Sequence, residues 1–501
     1  MTTAATLEVR SVPSDELASV VGRAVAEGRR FAGLVAFATV DGSTRLRAVL
    51  ATGRALEVVL ASVPAGGASY PAVTVAVPAA FWYEREIHDL YGLAPADHPR
   101  LDPLVLPLAA GPTGHRARPG RPDQALPVRL DTAGLPGHVR GEGAFTIPYG
   151  PVRSGVFEAV EFVVETFGED IPHMRVRPYP KHRGIARRFA DLDVDDGVLL
   201  AERAEGVMSV AHASAYCQAV ENAAGVEPPH CAELVRALHA ELERVANHLD
   251  SSIRQTEGAG QAVAYARLSF HKERVLRLQA QLSGHRFARG VVVPGGVAGP
   301  PRLDIDQVGV GLDSIEKGLV ADLELLLETP SFLDRLRGTG VIPPELAAAH
   351  GALGPIGRGS GAGDDVRITR PYGAYRRLGF EPVDTNSNGD ALARQRVRVD
   401  EIRTSFHLLR QIVDELVDEP PGPWRVPLPP PERFGLGWTE SPQGELIYLV
   451  DVGDDGTFQV KPRTASFHNF ALFTSAFGGD IFTDFVFIEA SFAASIAGVA
   501  G

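Results

Sequence analysis

The stretch AAGPTGHRARPGRPDQALPVRLDTAGLPGHVRGEGA, residues 109–144, limits how this chain can be assembled. It is rich in glycine, proline and arginine, and its apolar residues show no strand or helix period. It therefore reads as a Gly/Pro/Arg-rich linker or long surface loop, with no share in a core. That parts a small module, 1–108, from a larger one, 145–501. With 501 residues, 45% hydrophobic and 22% charged, the chain has length and apolar content for a core on each side.

In the small module DELASVVGRAVAEGR (15–29) has helical periodicity, and RFAGLVAFATV, TRLRAVLAT and AVTVAVP (72–78) read as strands. A helix, FWYEREIHDLYGL (81–93), follows, with Glu84, Arg85, Glu86 and Asp89 placed on exposed or interface faces. A proline-rich exit then ends in LVLP (104–107). The larger module opens on β-like stretches (GVFEAVEFVVETFG) and becomes helical through 198–290. CAELVRALHAELERVANHLD sets Leu234, Val235, Leu238, Leu242, Val245 and Leu249 on one stripe, the mark of a buried amphipathic helix. Residues 304–328 and 399–418 repeat the pattern, PGPWRVPLPPPERF (421–434) breaks it, and ELIYLVDVG with TFQVKPR reads as a hairpin. The expected class is α+β: a small N-terminal α/β domain, then a large mainly helical domain with a small β subdomain.

Charge and cysteine content exclude several functions. A net charge of −13 argues against a nucleic-acid partner, although PKHRGIARR (180–188) is locally basic. Two cysteines, Cys217 and Cys231, give no disulfide framework and are too few to hold an iron–sulfur cluster. No G-x-G-x-x-G opens a helix after a strand, so nothing points to NAD binding by this chain. The N-terminus has no basic region followed by an apolar run, so no signal peptide is expected. The apolar segment 470–501 is broken by Asp480, Asp484, Glu489 and Gly478-Gly479, so it reads as core and not as a membrane span.

AERAEGVMSVAHASAYCQAVE (201–221) is the most open stretch. At helical spacing Glu205, Met208 and His212 emerge from one face. A carboxylate, a thioether and an imidazole in a row fit a metal site, a proton relay or ordinary packing.

The order of motifs narrows this. EREIHDLYG followed by HPRL and LVLP resembles the signature of the 30-kDa-type subunit of respiratory complex I. IPYGPVRSGVFEAVEF, KHRGIARRF, the 201–221 stretch, RALHAELERVANHL, VPGGV, GWTESPQGELIYLV, KPRTASFHNF and FIEASFAASIAG follow in the order of the 49-kDa-type subunit and of nickel–iron hydrogenase large subunits. Their fusion in one chain looks most like the large subunit of formate hydrogenlyase or hydrogenase-4 type complexes. The resemblance implies the large-subunit fold of the nickel–iron hydrogenases.

It also implies where chemistry would sit. The family binds nickel and iron through two C-x-x-C pairs, soft thiolates suited to those metals. At those positions this chain has Glu205 and Met208, then Ser495 and Gly498, with His212 kept in place. Gln443 stands where the family carries an arginine facing the metal, and Ala186 replaces a glutamate. The resemblance thus implies a former nickel site, no metal, and no hydrogen chemistry. Complex I uses the same cavity for a quinone headgroup. Its histidine position is Arg153 here and its tyrosine position is Gly206. Arg153, Glu205, Met208 and His212 are thus candidates for a quinone or former metal cavity. Glu158 matches a proton-relaying glutamate and, with His212, is the candidate relay. Alternation with Glu161 and Glu165 on a half-exposed strand is its ordinary reading. His182 and Arg183 match residues near the partner's terminal cluster. Asp365 and Arg367 would form a buried ion pair, and Asp390, Arg394 and Arg398 read as structural.

The expected function is therefore a subunit of a membrane-associated oxidoreductase complex that docks an iron–sulfur small subunit and passes electrons, with quinone the leading acceptor. The alternative is a non-catalytic scaffold coupling that partner to a membrane arm. A third reading places a hard cation among Glu205, His212 and Glu158. No cofactor is expected on this chain; the iron–sulfur cluster belongs to the partner. Antiporter-like and other membrane subunits, and a peripheral place on the cytoplasmic side of the membrane, complete the expectation.

Overall fold

A computed structural model describes residues 7–107, 139, 141–153, 158–384, 387–419, 422–453 and 457–501. The 109–144 stretch lies outside the described residues, apart from 139 and 141–144. The architecture is α+β, with a β-rich N-terminal region ahead of a mainly helical one.

Four N-terminal strands lie in the spatial order Leu7–Ser11, Ala55–Val63, Thr44–Thr52, Arg30–Ala38. The first pair is parallel and the other two are antiparallel. Helix Leu17–Ala26 buries Leu17, Val20, Val21 and Ala24, a spacing that forms one stripe, with Leu34, Ala36, Leu46 and Val59 of the sheet. The opposite sheet face, with Val35, Phe37, Val49 and Val58, joins the core of the long helices. Both faces are covered, which is why Arg30–Ala38 is a continuous apolar run and does not alternate.

Two expectations for this region fail, for one physical reason. AVTVAVP forms a short 3-10 turn, Val73–Val75, in place of a strand. The Glu84 carboxylate accepts the backbone N–H of Val73 at 2.8 Å and of Thr74 at 3.0 Å, taking donors that a strand would give to a ladder. Glu84, Arg85, Glu86 and Asp89, expected on exposed or interface faces, are all buried in helix Phe81–Tyr91. Arg85 donates to the carbonyl of Asp102 at 2.9 Å, and Glu86 pairs with Lys461 at 2.7 Å. Asp89 accepts the N–H groups of Leu104 at 2.7 Å and Val105 at 2.9 Å. Three of the four charges on this helix, Glu84, Arg85 and Asp89, therefore fix the chain's own backbone, and Glu86 binds a side chain of the C-terminal sheet. Asp89→Ala strands those buried donors and is expected to lower stability by about 2 kcal/mol, read as a lower urea midpoint at unchanged slope.

The larger region is built on helices Ser209–Ala224, His230–Gly258, Ala262–Ser283, Ile305–Leu327 and Ala391–Asp418. The stripe read from 231–250 is buried as expected. Asp390 caps the last of these helices by accepting the N–H of Ala393 at 2.7 Å. The hairpin Gly444–Val452 and Phe458–Arg463 gains a third antiparallel strand, Gly435–Ser441. That strand lies so close on helix Ser209–Ala224 that a Cβ at Gly437 would stand 2.1 Å from the Ala215 carbonyl oxygen. The same sheet grips the N-terminal one through Arg30–Glu445 at 2.7 Å, Arg45–Asp451 at 3.2 Å and Arg47–Asp451. Residues 465–500 form short helices in a phenylalanine-rich core. No helix among the described residues is long and apolar enough to cross a membrane.

Candidate functional site

Helix Ser209–Ala224 begins after Met208, so Glu205, Met208 and His212 are not three positions on one helix. Glu205 and Met208 lie in the preceding turn, where the Met208 N–H donates to the Glu205 carbonyl at 2.9 Å. Met208 packs into the apolar cluster of Phe189, Val210 and Tyr448. For that side chain, ordinary packing is the outcome.

Glu205 and His212 do meet. Both side chains are 1% exposed, and Glu205 Oε1 lies 3.7 Å from His212 Nε2. His212 Nδ1 stands 2.7 Å from the Tyr448 hydroxyl. With that hydroxyl donating, the ring proton sits on Nε2 and faces the carboxylate. The other oxygen of Glu205 accepts from the Ser466 hydroxyl at 3.2 Å, and Ser466 in turn accepts the N–H of Ser495 at 3.2 Å. The Ser495 hydroxyl donates to Glu158 at 3.2 Å, and Lys181 lies 3.3 Å from the same carboxylate. Glu158 is 35% exposed, so this polar string runs from the surface to a sealed interior. The strand expected to carry Glu158 begins only at Glu161. Glu165, its supposed outward neighbour, is buried against Arg175 at 2.9 Å. The alternation reading is thereby removed.

Gly498 completes the picture. A Cβ at that position would stand 1.8 Å from Glu205 Oε1. The glutamate thus fills the space beside a residue that has no side chain. The sequence positions of both metal pairs come together, but as a carboxylate, a packed thioether, a hydroxyl already bonded to Glu158, and nothing. Such a donor set does not fit a thiolate-bridged nickel–iron centre. Among the described residues no three His, Cys, Asp or Glu side chains form a metal-holding group. Cys217 and Cys231 are both buried and free; burial pushes the Cys217 thiol well above its usual range.

The remaining candidates lie around this string. Arg183 donates to the carbonyls of Arg203 at 3.0 Å, Ala204, and Ala497 at 3.3 Å. It staples the Glu205 turn to the segment carrying Ser495 and Gly498. His182 Nδ1 holds the Ala500 carbonyl at 2.6 Å. Arg153 is bound to Glu489 through two contacts, 2.7 and 2.8 Å, and lies over the Tyr149 and Phe162 rings. Its guanidinium is thus turned to Glu489 and not to the Glu205–His212 pair. Gln443 donates to Asn247 at 2.8 Å.

The expected Asp365–Arg367 pair forms at 2.6 Å, within a larger buried network. Arg367 also binds Glu241 at 2.9 Å, and Arg358 holds Glu401 at 2.6 Å and Glu440 at 3.2 Å. Burial opposes ionisation of Glu401, yet Arg358 and His248 together hold its carboxyl well below the usual range. Sequence reasoning missed Ser466, Tyr448 and Glu489. Each lies in a quoted motif, but only their long-range partners give them a role.

The family profile described as "Respiratory-chain NADH dehydrogenase, 49 Kd subunit" matches residues 259–428, and the 30 Kd subunit profile matches 10–128. The chain is 31% identical over 370 residues to the membrane-bound hydrogenase subunit alpha of Pyrococcus furiosus, covering 69% of this chain and 84% of that one. It is 28% identical over 436 residues to formate hydrogenlyase subunit 5 of Escherichia coli, covering 84% and 75%. It is 28% identical over 479 residues to a subunit of the NADH-quinone oxidoreductase of Rhodopseudomonas palustris, covering 84% and 80%. With both profiles on one chain that holds only two cysteines, the protein belongs to the family of fused 30-kDa and 49-kDa complex I-type subunits related to the large subunits of formate hydrogenlyase and hydrogenase-4.

Proposed function

We propose that this chain docks an iron–sulfur subunit and that, within that complex, the string from Glu158 to His212 supplies protons to an electron acceptor. Quinone is the acceptor class this proposal takes, with support from the name of the NADH-quinone oxidoreductase relatives. Reducing a quinone to a quinol takes up two electrons and two protons. The electrons come from the partner's cluster; the protons enter past Glu158, with the Ser495 hydroxyl turning from Glu158 to Ser466, since the backbone N–H that joins the two serines here cannot hand a proton on. The observation that carries this reading is the sealed Glu205–His212 pair, joined through Ser466 and Ser495 to a surface carboxylate. Arg153 reaches a headgroup only by releasing Glu489, so its first role is to hold the Glu489 helix.

A peripheral place on the cytoplasmic side of a membrane, beside membrane subunits, is part of this proposal; the name of the membrane-bound hydrogenase relative supports the membrane association alone. Three regions are proposed for the chain: a 30-kDa-like domain, a linker over 109–144 and a 49-kDa-like domain. A second reading, a scaffold without chemistry, is favoured by one contact: Glu205 lies directly on Gly498, which closes the space between the two former ligand pairs.

The purified complex separates these readings. Glu158→Gln and His212→Gln are each expected to lower quinone reduction at least tenfold while the subunits stay assembled. Wild-type turnover in both variants would leave only the scaffold.

A further inference from the structure

Helix Ser209–Ala224 has a second lined face. At about 100° per residue, Ala211, Ser214, Gln218 and Glu221 lie opposite His212 and Tyr216. They border a cavity of about 80 Å³, closed on the other side by Glu233, Glu243, Tyr372 and Glu440. A second cavity of about 40 Å³ lies farther along helix His230–Gly258, between Ala246, Asn247, Asp250, Lys272 and Arg286. Glu243 lines both. The reason is its place in the helix: it ends the row 233, 236, 240 that faces the first cavity and begins the row 243, 246, 250 that faces the second.

The carboxylate accepts the N–H of Val210 at 2.7 Å and of Ala211 at 3.0 Å, two donors left open at the start of helix Ser209–Ala224. The neighbouring Arg244 turns instead to Glu241, at 3.3 Å. Both cavities exceed the roughly 10–15 Å³ that holds one water. The Ser214 hydroxyl, buried and without a hydrogen-bond partner, lines the larger one. The larger cavity is therefore lined by an unpartnered polar group as well as by Glu243 and Glu440.

We infer that Glu243 is a two-sided proton-exchange site, taking a proton from water in one cavity and releasing it to water in the other, with Glu440 lining the larger cavity. The step is a transfer between a hydronium and a carboxylate, giving water and a carboxylic acid, and then the reverse. It needs no redox partner. The site stands apart from the Glu205 string, on the other side of the same helix, and holds whether or not quinone is the acceptor.

Electrostatics agree with the geometry. Burial pushes Glu243 up to about 8, against the pull of the Val210 and Ala211 N–H groups and of Arg244, with Glu202 adding to the rise. Burial, with Asp365 next, pushes Glu440 up to about 7. The other charged groups facing the cavities are Glu221, Glu227, Glu233, Arg236 and Arg376 on one side and Asp250, Lys272 and Arg286 on the other. Both raised carboxyls change state near neutral pH. Their contribution to stability is complete below the ordinary carboxyl value of 4.5 and is lost as pH rises toward about 7 and 8.

The test is infrared difference spectroscopy of the full chain through a pH jump. A protonated-carboxyl band that titrates near pH 8 and disappears in Glu243→Gln is expected. Narrowing both cavities with Ala240→Leu and Ala246→Leu together is expected to slow that band's response at least tenfold, and either one alone to slow it less. A band unchanged in Glu243→Gln would overturn the assignment to Glu243. An unchanged rate in the folded double variant, with folding checked by circular dichroism, would overturn the two-sided access.

Discussion

Glu445→Ala is expected to destabilise the chain by about 3–5 kcal/mol, the range for removing one partner of a buried ion pair. Glu445 is buried among Arg30 at 2.7 Å, Arg370 and Arg463. No single arginine could be left unpaired there cheaply, and this variant leaves three without their shared carboxylate. The loss is not confined to one element. Arg30 belongs to the N-terminal sheet, Arg370 to the loop after helix Val366–Thr369, and Arg463 to the C-terminal sheet. A urea transition shifted to lower midpoint, or split into two, is the expected result; an unshifted one would contradict it. The pH dependence has a definite sign. Burial alone would raise the Glu445 carboxyl, but the three arginines hold it well below its usual value of 4.5. Its stabilisation is therefore present above pH 4.5 and is lost as pH falls through the lowered value, so the variant's deficit should shrink in strong acid.

Gly498→Ala is the second large effect. The added methyl would stand 1.8 Å from Glu205 Oε1, so the carboxylate must leave its place against Ser466 and His212. Overpacking and a displaced buried charge together are expected to cost about 3 kcal/mol. Glu205→Ser in the same chain frees that space. The double variant should recover most of the loss, a coupling of about 1–3 kcal/mol in a thermal-unfolding cycle. Additive losses would mean that the two residues do not share the space.

The contrast between these sites shows what a sequence can carry. Helices His230–Gly258 and Ala391–Asp418 were legible because their buried stripes repeat over many turns. The Asp365–Arg367 pair was legible because both residues lie in one short motif. The Val73–Val75 turn was not, since a short apolar run has no period long enough to separate a strand from a turn tied by Glu84. The buried helix Phe81–Tyr91 misled for a related reason. Glu84, Glu86 and Asp89 are charged, and only contacts with distant backbone and Lys461 show that they are interior. Strand Ala55–Val63 also went unread, because Glu57 and Ser62 interrupt its apolar pattern.

At the candidate site the resemblance located the residues, and geometry changed their meaning. Glu205, Ser495, Gly498, His212 and Glu158 were named from motif positions, and the fold brings all five into one neighbourhood. What no motif could show is that Glu205 occupies Gly498's space, or that Ser466 and Tyr448 link the rest. Arg153 went the other way: it was named with the cavity and is found bound to Glu489. Contacts between segments far apart in sequence decide each of these points, and single-chain patterning has no term for them.

Turnover of the purified complex carrying Glu205→Gln separates a working proton path from a packed relic. The amide keeps the shape that fits against Gly498 and can still accept from Ser466, so stability should be little changed, while proton transfer to His212 is removed. A fall of at least tenfold in quinone reduction, with melting temperature held within about 2 °C, is expected if the string carries protons. Full turnover in an assembled complex would contradict it and leave the site without chemistry.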